Sequence, residues 1–127
     1  MAIELLLQLL FFILAGFLAG IIAGLIPALH VNNIAAISLI FALNESLEIK
    51  LFVSVFIASM SLTSSFIDFI PTVLFFIPSE SSFASLLPSQ RLFLQGKALQ
   101  AIFLAASGCL AAGLVSVILS QFLIDFF

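Results

Sequence analysis

Gly24-Leu25-Ile26-Pro27-Ala28-Leu29-His30-Val31-Asn32-Asn33 is the stretch on which the reading of this chain turns. It holds the single histidine, a proline and two adjacent asparagines, with apolar runs on both sides. Proline removes a backbone donor and clashes with the preceding turn, so it ends or kinks a helix. Asparagine favours the position that caps a new one. In water such a turn is ordinary. Inside a bilayer every backbone polar group needs a partner within the protein, so the same turn there needs a reason.

Composition decides which solvent applies. Of the 127 residues 65% are hydrophobic and 7% charged, with a mean hydropathy of +1.46. Soluble domains carry about 25% charged residues. This chain cannot cover a water-facing surface. It reads as an all-α integral protein of the cell membrane, one transmembrane domain over residues 1–127, with the lipid bilayer as its first partner. A crossing helix takes about 20 apolar residues, which leaves room for about four hydrophobic helical segments. The net charge of −3 rests on too few groups to indicate a partner. Three scattered basic residues make no nucleic-acid footprint. Cys109 has no second cysteine to pair with and reads as a small packing residue. Near the N-terminus stands Glu4 rather than a basic cluster, so the first helix is expected to be retained rather than cleaved as a signal peptide. Asn44-Glu45-Ser46 matches a glycosylation acceptor triplet, but in a short loop.

Before the turn, residues 3–26 form the first expected span. Gly16, Gly20 and Gly24 recur every four residues, so they share one helix face and make a smooth groove for close helix contact. Two readings stand: packing within the chain, or a seam between subunits or moving parts. Beyond the turn, Asn32 and Asn33 are expected to cap a short segment, 31–43, which either re-enters the membrane or completes a broken helix. Residues 50–77 make the next segment, rich in hydroxyls and interrupted near 68–71 by Asp68 and Pro71, with Pro78 closing it. Residues 78–97 are the most polar region; Phe83, Leu86 and Leu87 within it point to a short amphipathic helix or a hairpin tip. The last span covers 98–124, with Gly108, Ala112, Ser116 and Ser120 again four apart. Arg91 and Lys97 against Lys50 favour a cytoplasmic polar loop.

Polar groups inside a bilayer are costly and mark function by default. They fall here into two clusters, each at a proline break. His30, Asn32 and Asn33 follow Pro27; Asp68, Ser79, Glu80, Ser81 and Ser82 surround Pro71 and Pro78. Paired interrupted segments are the sequence pattern of a transporter binding site, where half-helix N-termini favour anions and freed carbonyls hold cations. On that reading His30, Asn32, Asn33, Ser79, Ser81 and Ser82 bind substrate, while Asp68 or Glu80 coordinates a cation or relays a proton. The plainer reading has His30 at the headgroup level or capping a helix, Asp68 bonded to a backbone donor, and Glu80 solvated at a helix start. No enzyme is expected: the chain lacks any H-E-x-x-H, G-x-S-x-G or P-loop pattern, any clustered metal ligands and any cofactor motif.

The residues also carry a resemblance. Gly24 to Ala35 resembles the Gly-x-x-Pro-Gly-x-(His)-x-Asn-x-Ile-Ala signature of the large permease subunit of tripartite tricarboxylate transporters, in its archaeal form. Phe69 to Glu80 resembles that family's second motif, and Leu86 to Ala98 the segment after it. Order and spacing fit from about Gly16 to Ala106. The signature's second glycine is Ala28 here, which narrows backbone freedom at the turn. Full permeases of the family are several times longer and have two repeat-related halves; this chain resembles the N-terminal part of one. The resemblance implies a subunit for cation-coupled carboxylate uptake, acting as a homo-oligomer or with a second permease half, on a small carboxylate and a monovalent cation. The alternative is a small non-transporting scaffold or accessory subunit of a larger membrane complex.

Overall fold

The structure is a computed structural model, and it describes residues 2–26, 29–77 and 86–126. Among these the elements are all helical: α1 (Ala2–Leu25), α2 (Val31–Ala42), α3 (Leu47–Ile67), α4 (Phe69–Phe75), α5 (Leu86–Leu94) and α6 (Ala98–Phe126). Three stretches are long and apolar enough to cross a membrane: Ile3–Leu25, Leu47–Phe75 and Ala98–Ile124. The 24 residues of α1 reach about 36 Å at 1.5 Å each, against a hydrocarbon core of about 30 Å. The chain is a multi-pass membrane protein. Its contacts divide it into two units, residues 1–71 and 72–127, each of which is described by itself.

The first unit is built on α1 against α3. The glycine face of α1 makes this contact. A Cβ added at Gly16 would meet the Phe56 carbonyl oxygen and lie 2.9 Å from Ser59 Cβ. At Gly20 it would come within 2.5 Å of the Met60 carbonyl oxygen and 2.7 Å of Thr63 Cβ. At Gly24 it would lie 2.8 Å from Ile67 Cβ. No side chain fits between these backbones, and Met60 opposite is fully buried. Ser59 Oγ donates to the Ile13 carbonyl across the seam at 2.8 Å. A lipid-embedded helix pair gains nothing from excluding water, so such close contact and interhelical bonding must hold it.

The register of this contact fixes direction. Phe12 stacks on Phe52, Gly16 meets Phe56–Met60, Gly20 meets Met60–Thr63, and Gly24 meets Ser64–Ile67. Residue numbers rise together, so α1 and α3 run parallel and level with each other. Residues 26–46 therefore return the full length of the pair before α3 begins. The 12 residues of α2 supply about 18 Å of that return, and the residues flanking it supply the rest.

Helix ends correct two expectations. Asn32 and Asn33 do not occupy the cap of α2. His30 does, with extended backbone (φ −78°, ψ 125°) and no side-chain cap bond, so the asparagines lie in the first turn. The helix starts instead on a backbone turn, Asn33 N–H donating to the His30 carbonyl at 3.0 Å. The third helix begins at Leu47 rather than at residue 50, because Ser46 Oγ accepts the Ile49 N–H at 3.4 Å and caps it. Glu48 then sits in the first turn, where the helix dipole favours an anion.

In the second unit, α5 ends in a Schellman turn. Gly96 is left-handed at φ 75°, Gly96 N–H donates to the Phe93 carbonyl, and Lys97 N–H donates to the Leu92 carbonyl at 2.8 Å. That turn leads into α6, which α5 contacts. Phe76, after α4, is also left-handed at φ 55°, a conformation rare for an aromatic residue. Its ring meets Phe93 of α5 edge to face, centroids 5.0 Å apart.

Candidate functional site

The parallel register sorts the polar residues of the first unit by end. Gly24 contacts Ile67, so Asp68 lies level with the C-terminus of α1. There α1 gives way to Ile26, Leu29 and His30, none of them helical, and then to Asn32 and Asn33 at the start of α2. His30, Asn32, Asn33 and Asp68 thus share one end of the unit. Glu4, Glu48 and Lys50 lie at the other, separated by the length of α1.

Local chemistry shapes each group. His30, Asn32 and Asn33 are exposed in this chain. Val31 starts the helix directly after His30, which leaves the imidazole outside the first turn and both asparagine amides on it. The first N–H groups of α2 lack helical acceptors, as at every helix start, and this end carries positive partial charge. Asp68 is half-buried and ends α3, its N–H donating to the Ser64 carbonyl at 2.9 Å. The interruption there is one residue, with near-helical angles (φ −58°, ψ −24°). Pro71 is buried within the first turn of α4, where a missing N–H costs little. Hence α3 and α4 continue one another rather than parting at a wide gap.

Pro27, Pro78, Ser79, Glu80, Ser81 and Ser82 lie outside the described residues. The structure brings His30, Asn32, Asn33 and Asp68 to one end of the first unit.

Three polar residues stand out that composition alone does not single out. Ser59 carries the bond between α1 and α3. Thr72 and Ser89, in the second unit, are both buried, Thr72 to 1% exposure. Burial satisfied by hydrogen bonds is invisible in a linear sequence. The one signal in the sequence is that Thr72 follows the Pro71 break and Ser89 follows Pro88.

Among the described residues, an all-helical architecture with three long apolar helices defines a polytopic membrane protein. The sequence profile of the Tripartite tricarboxylate transporter TctA family matches residues 10–127, and the chain belongs to that family. Over 103 residues it is 34% identical to an uncharacterized protein of Methanocaldococcus jannaschii. That match covers 78% of this chain and 24% of the relative, so the chain spans about a quarter of the relative's length. No solved structure matches.

Proposed function

We propose that the chain is a subunit of a cation-coupled carboxylate permease, working with a second copy or a second permease half. Residues 26–46 cross the bilayer as a broken segment whose non-helical part carries His30. Asn32 and Asn33, on the first turn of α2, offer amide donors to a carboxylate at the positive end of that helix. Asp68 coordinates the coupling cation or relays its proton. The observation that carries this reading is the level of Asp68 beside the end of α1, which sets the acid and the amide-bearing turn at one end of a parallel helix pair.

Uptake of labelled citrate-like acids into proteoliposomes tests it. The Asn32→Ala, Asn33→Ala double variant should lose most uptake while keeping its helical content. Uptake at the unsubstituted rate would remove both residues from the site. A second reading, a non-transporting accessory subunit, draws on α6, whose most apolar stretch buries no residue. Obligate co-purification with a different, larger chain would favour it; a stable homodimer with uptake would not.

A further inference from the structure

The open faces of the apolar spans differ in chemistry. On α1 the side turned from α3 is bulky: Leu7, Phe11, Leu14 and Leu18 are 53–66% exposed. On α6, Leu114, Val117 and Ile118 are 59–68% exposed. Such faces suit acyl chains. The open face of α3 does not. Its side toward α1 is fixed by contact, since Phe52 stacks on Phe12, Ser59 bonds to the Ile13 carbonyl, and Phe56, Met60, Thr63 and Ile67 meet the glycines. At 3.6 residues per turn, Ser54, Ser61 and Ser65 stand about 160° round the helix from that side. Ser54 and Ser65 are exposed and Ser61 is half-exposed. All three lie inside the apolar span Leu47–Phe75, with no charged residue between Lys50 and Asp68. From Ser54 to Ser65 the helix rises about 16 Å, about half the hydrocarbon core. Polar side chains at that depth face a bundle interior or a water-filled path, and they mark ion pathways.

We infer that the hydroxyl face of α3 lines the path of the coupling cation, a monovalent metal ion of the sodium kind. This deepens the permease reading and rests on it. The hydrogen bonds select the ion. Ser54 Oγ donates to the Lys50 carbonyl at 2.8 Å, and Ser65 Oγ donates to the Ser61 carbonyl at 2.9 Å. A hydroxyl has one proton to donate and two lone pairs to offer. With the proton spent inside the helix, only lone pairs point outward. They attract a cation and oppose a carboxylate. A proton held by a carbonyl is also withdrawn from relay, which favours a metal ion over a hydronium. Neutral oxygens in succession bind an ion weakly enough to pass it on. The face starts one turn beyond Lys50 and ends one turn short of Asp68, the level at which the ion is coupled.

Cysteine mapping of the full chain in membranes, in a Cys109→Ser background, tests the face without requiring transport. Ser54→Cys, Ser61→Cys and Ser65→Cys should react with a hydrophilic thiol reagent at least about tenfold faster than Leu14→Cys and Leu18→Cys, because thiolates form in water and not in lipid. Sodium chloride in place of choline chloride should slow the reaction at Ser61→Cys and Ser65→Cys. In proteoliposomes, Ser61→Ala and Ser65→Ala should raise the sodium concentration for half-maximal uptake about tenfold, a loss expected of one removed ligand. Thr63→Ala, on the side toward α1, should leave it unchanged. Serine cysteines no faster than the leucine cysteines would overturn the inference, since the face would then meet lipid or packed protein. Reaction that sodium does not slow, or an unchanged sodium requirement in both alanine variants, would overturn the cation's part in it. No uptake by the unsubstituted chain would remove the permease reading instead, and sodium protection of the cysteines would still decide what the face binds.

Discussion

Glycine carries two different jobs in this chain, and substitution separates them. At Gly20 the space for a methyl group is already filled by backbone on α3. Gly20→Ala should therefore destabilise the chain by about 1–3 kcal/mol, since overpacking against backbone cannot be relieved by a rotamer change. Gly108 has nothing within 4 Å of an added Cβ, and Gly108→Ala should be neutral or slightly stabilising through helix propensity. Gly96 is also uncrowded, but its φ of 75° makes alanine costly by about 1–2 kcal/mol. Thermal unfolding in a single detergent should rank the three variants in that way. Helical periodicity by itself places Gly16, Gly20 and Gly24 on one face. It cannot name the helix that meets them, because the partner is set some forty residues further on.

At the scale of elements, the hydroxyl-rich α3 divides its side chains between local and long-range bonds. Ser54 Oγ donates to the Lys50 carbonyl and Ser65 Oγ to the Ser61 carbonyl, each inside its own helix. Ser59 instead reaches across to α1. Ser59→Ala should weaken the helix pair by about 0.6 kcal/mol, the average for interhelical bonds in membranes, whereas Ser54→Ala should change stability little. Steric-trap unfolding of the two variants in bicelles would show the difference; equal losses would mean that the bond across the seam contributes nothing. In one dimension all these hydroxyls form a single polar feature. Their separate roles depend on which helix face each occupies, and on the partner that face meets. The helix starts show the same limit. Ser46 is legible as a cap residue in type, and by type Asn32 and Asn33 are at least as strong; the cap at His30 depends on backbone angles that no residue type there dictates.

For the whole molecule, the parallel register of α1 and α3 makes a statement about sidedness. In a Cys109→Ser background, single cysteines at Gln8 and Asn44 should react with a membrane-impermeant thiol reagent from one face, and a cysteine at Leu29 from the other. Labelling of Leu29→Cys and Asn44→Cys from the same face would show that residues 26–46 turn back inside the membrane, and the parallel pairing would fall with it. Twelve helical residues are short for a crossing, which is why the segment reads equally well as re-entrant in one dimension. Only its neighbours' direction separates the two.

The amino-acid sequence by itself determined the solvent of this protein and the presence of its long apolar helices. Those follow from hydrophobicity and helical period, which act over a few residues. Family membership was legible in the same way, through the ordered motifs around Pro27, Pro71 and Pro88. Tertiary structure alone decided that the glycine face meets α3, that the two helices run parallel, and that Asp68 stands level with the end of α1. Each of these depends on which surfaces meet. In a bilayer, where apolar faces gain nothing by leaving the solvent, that choice rests on shape and on individual hydrogen bonds between residues distant in the chain.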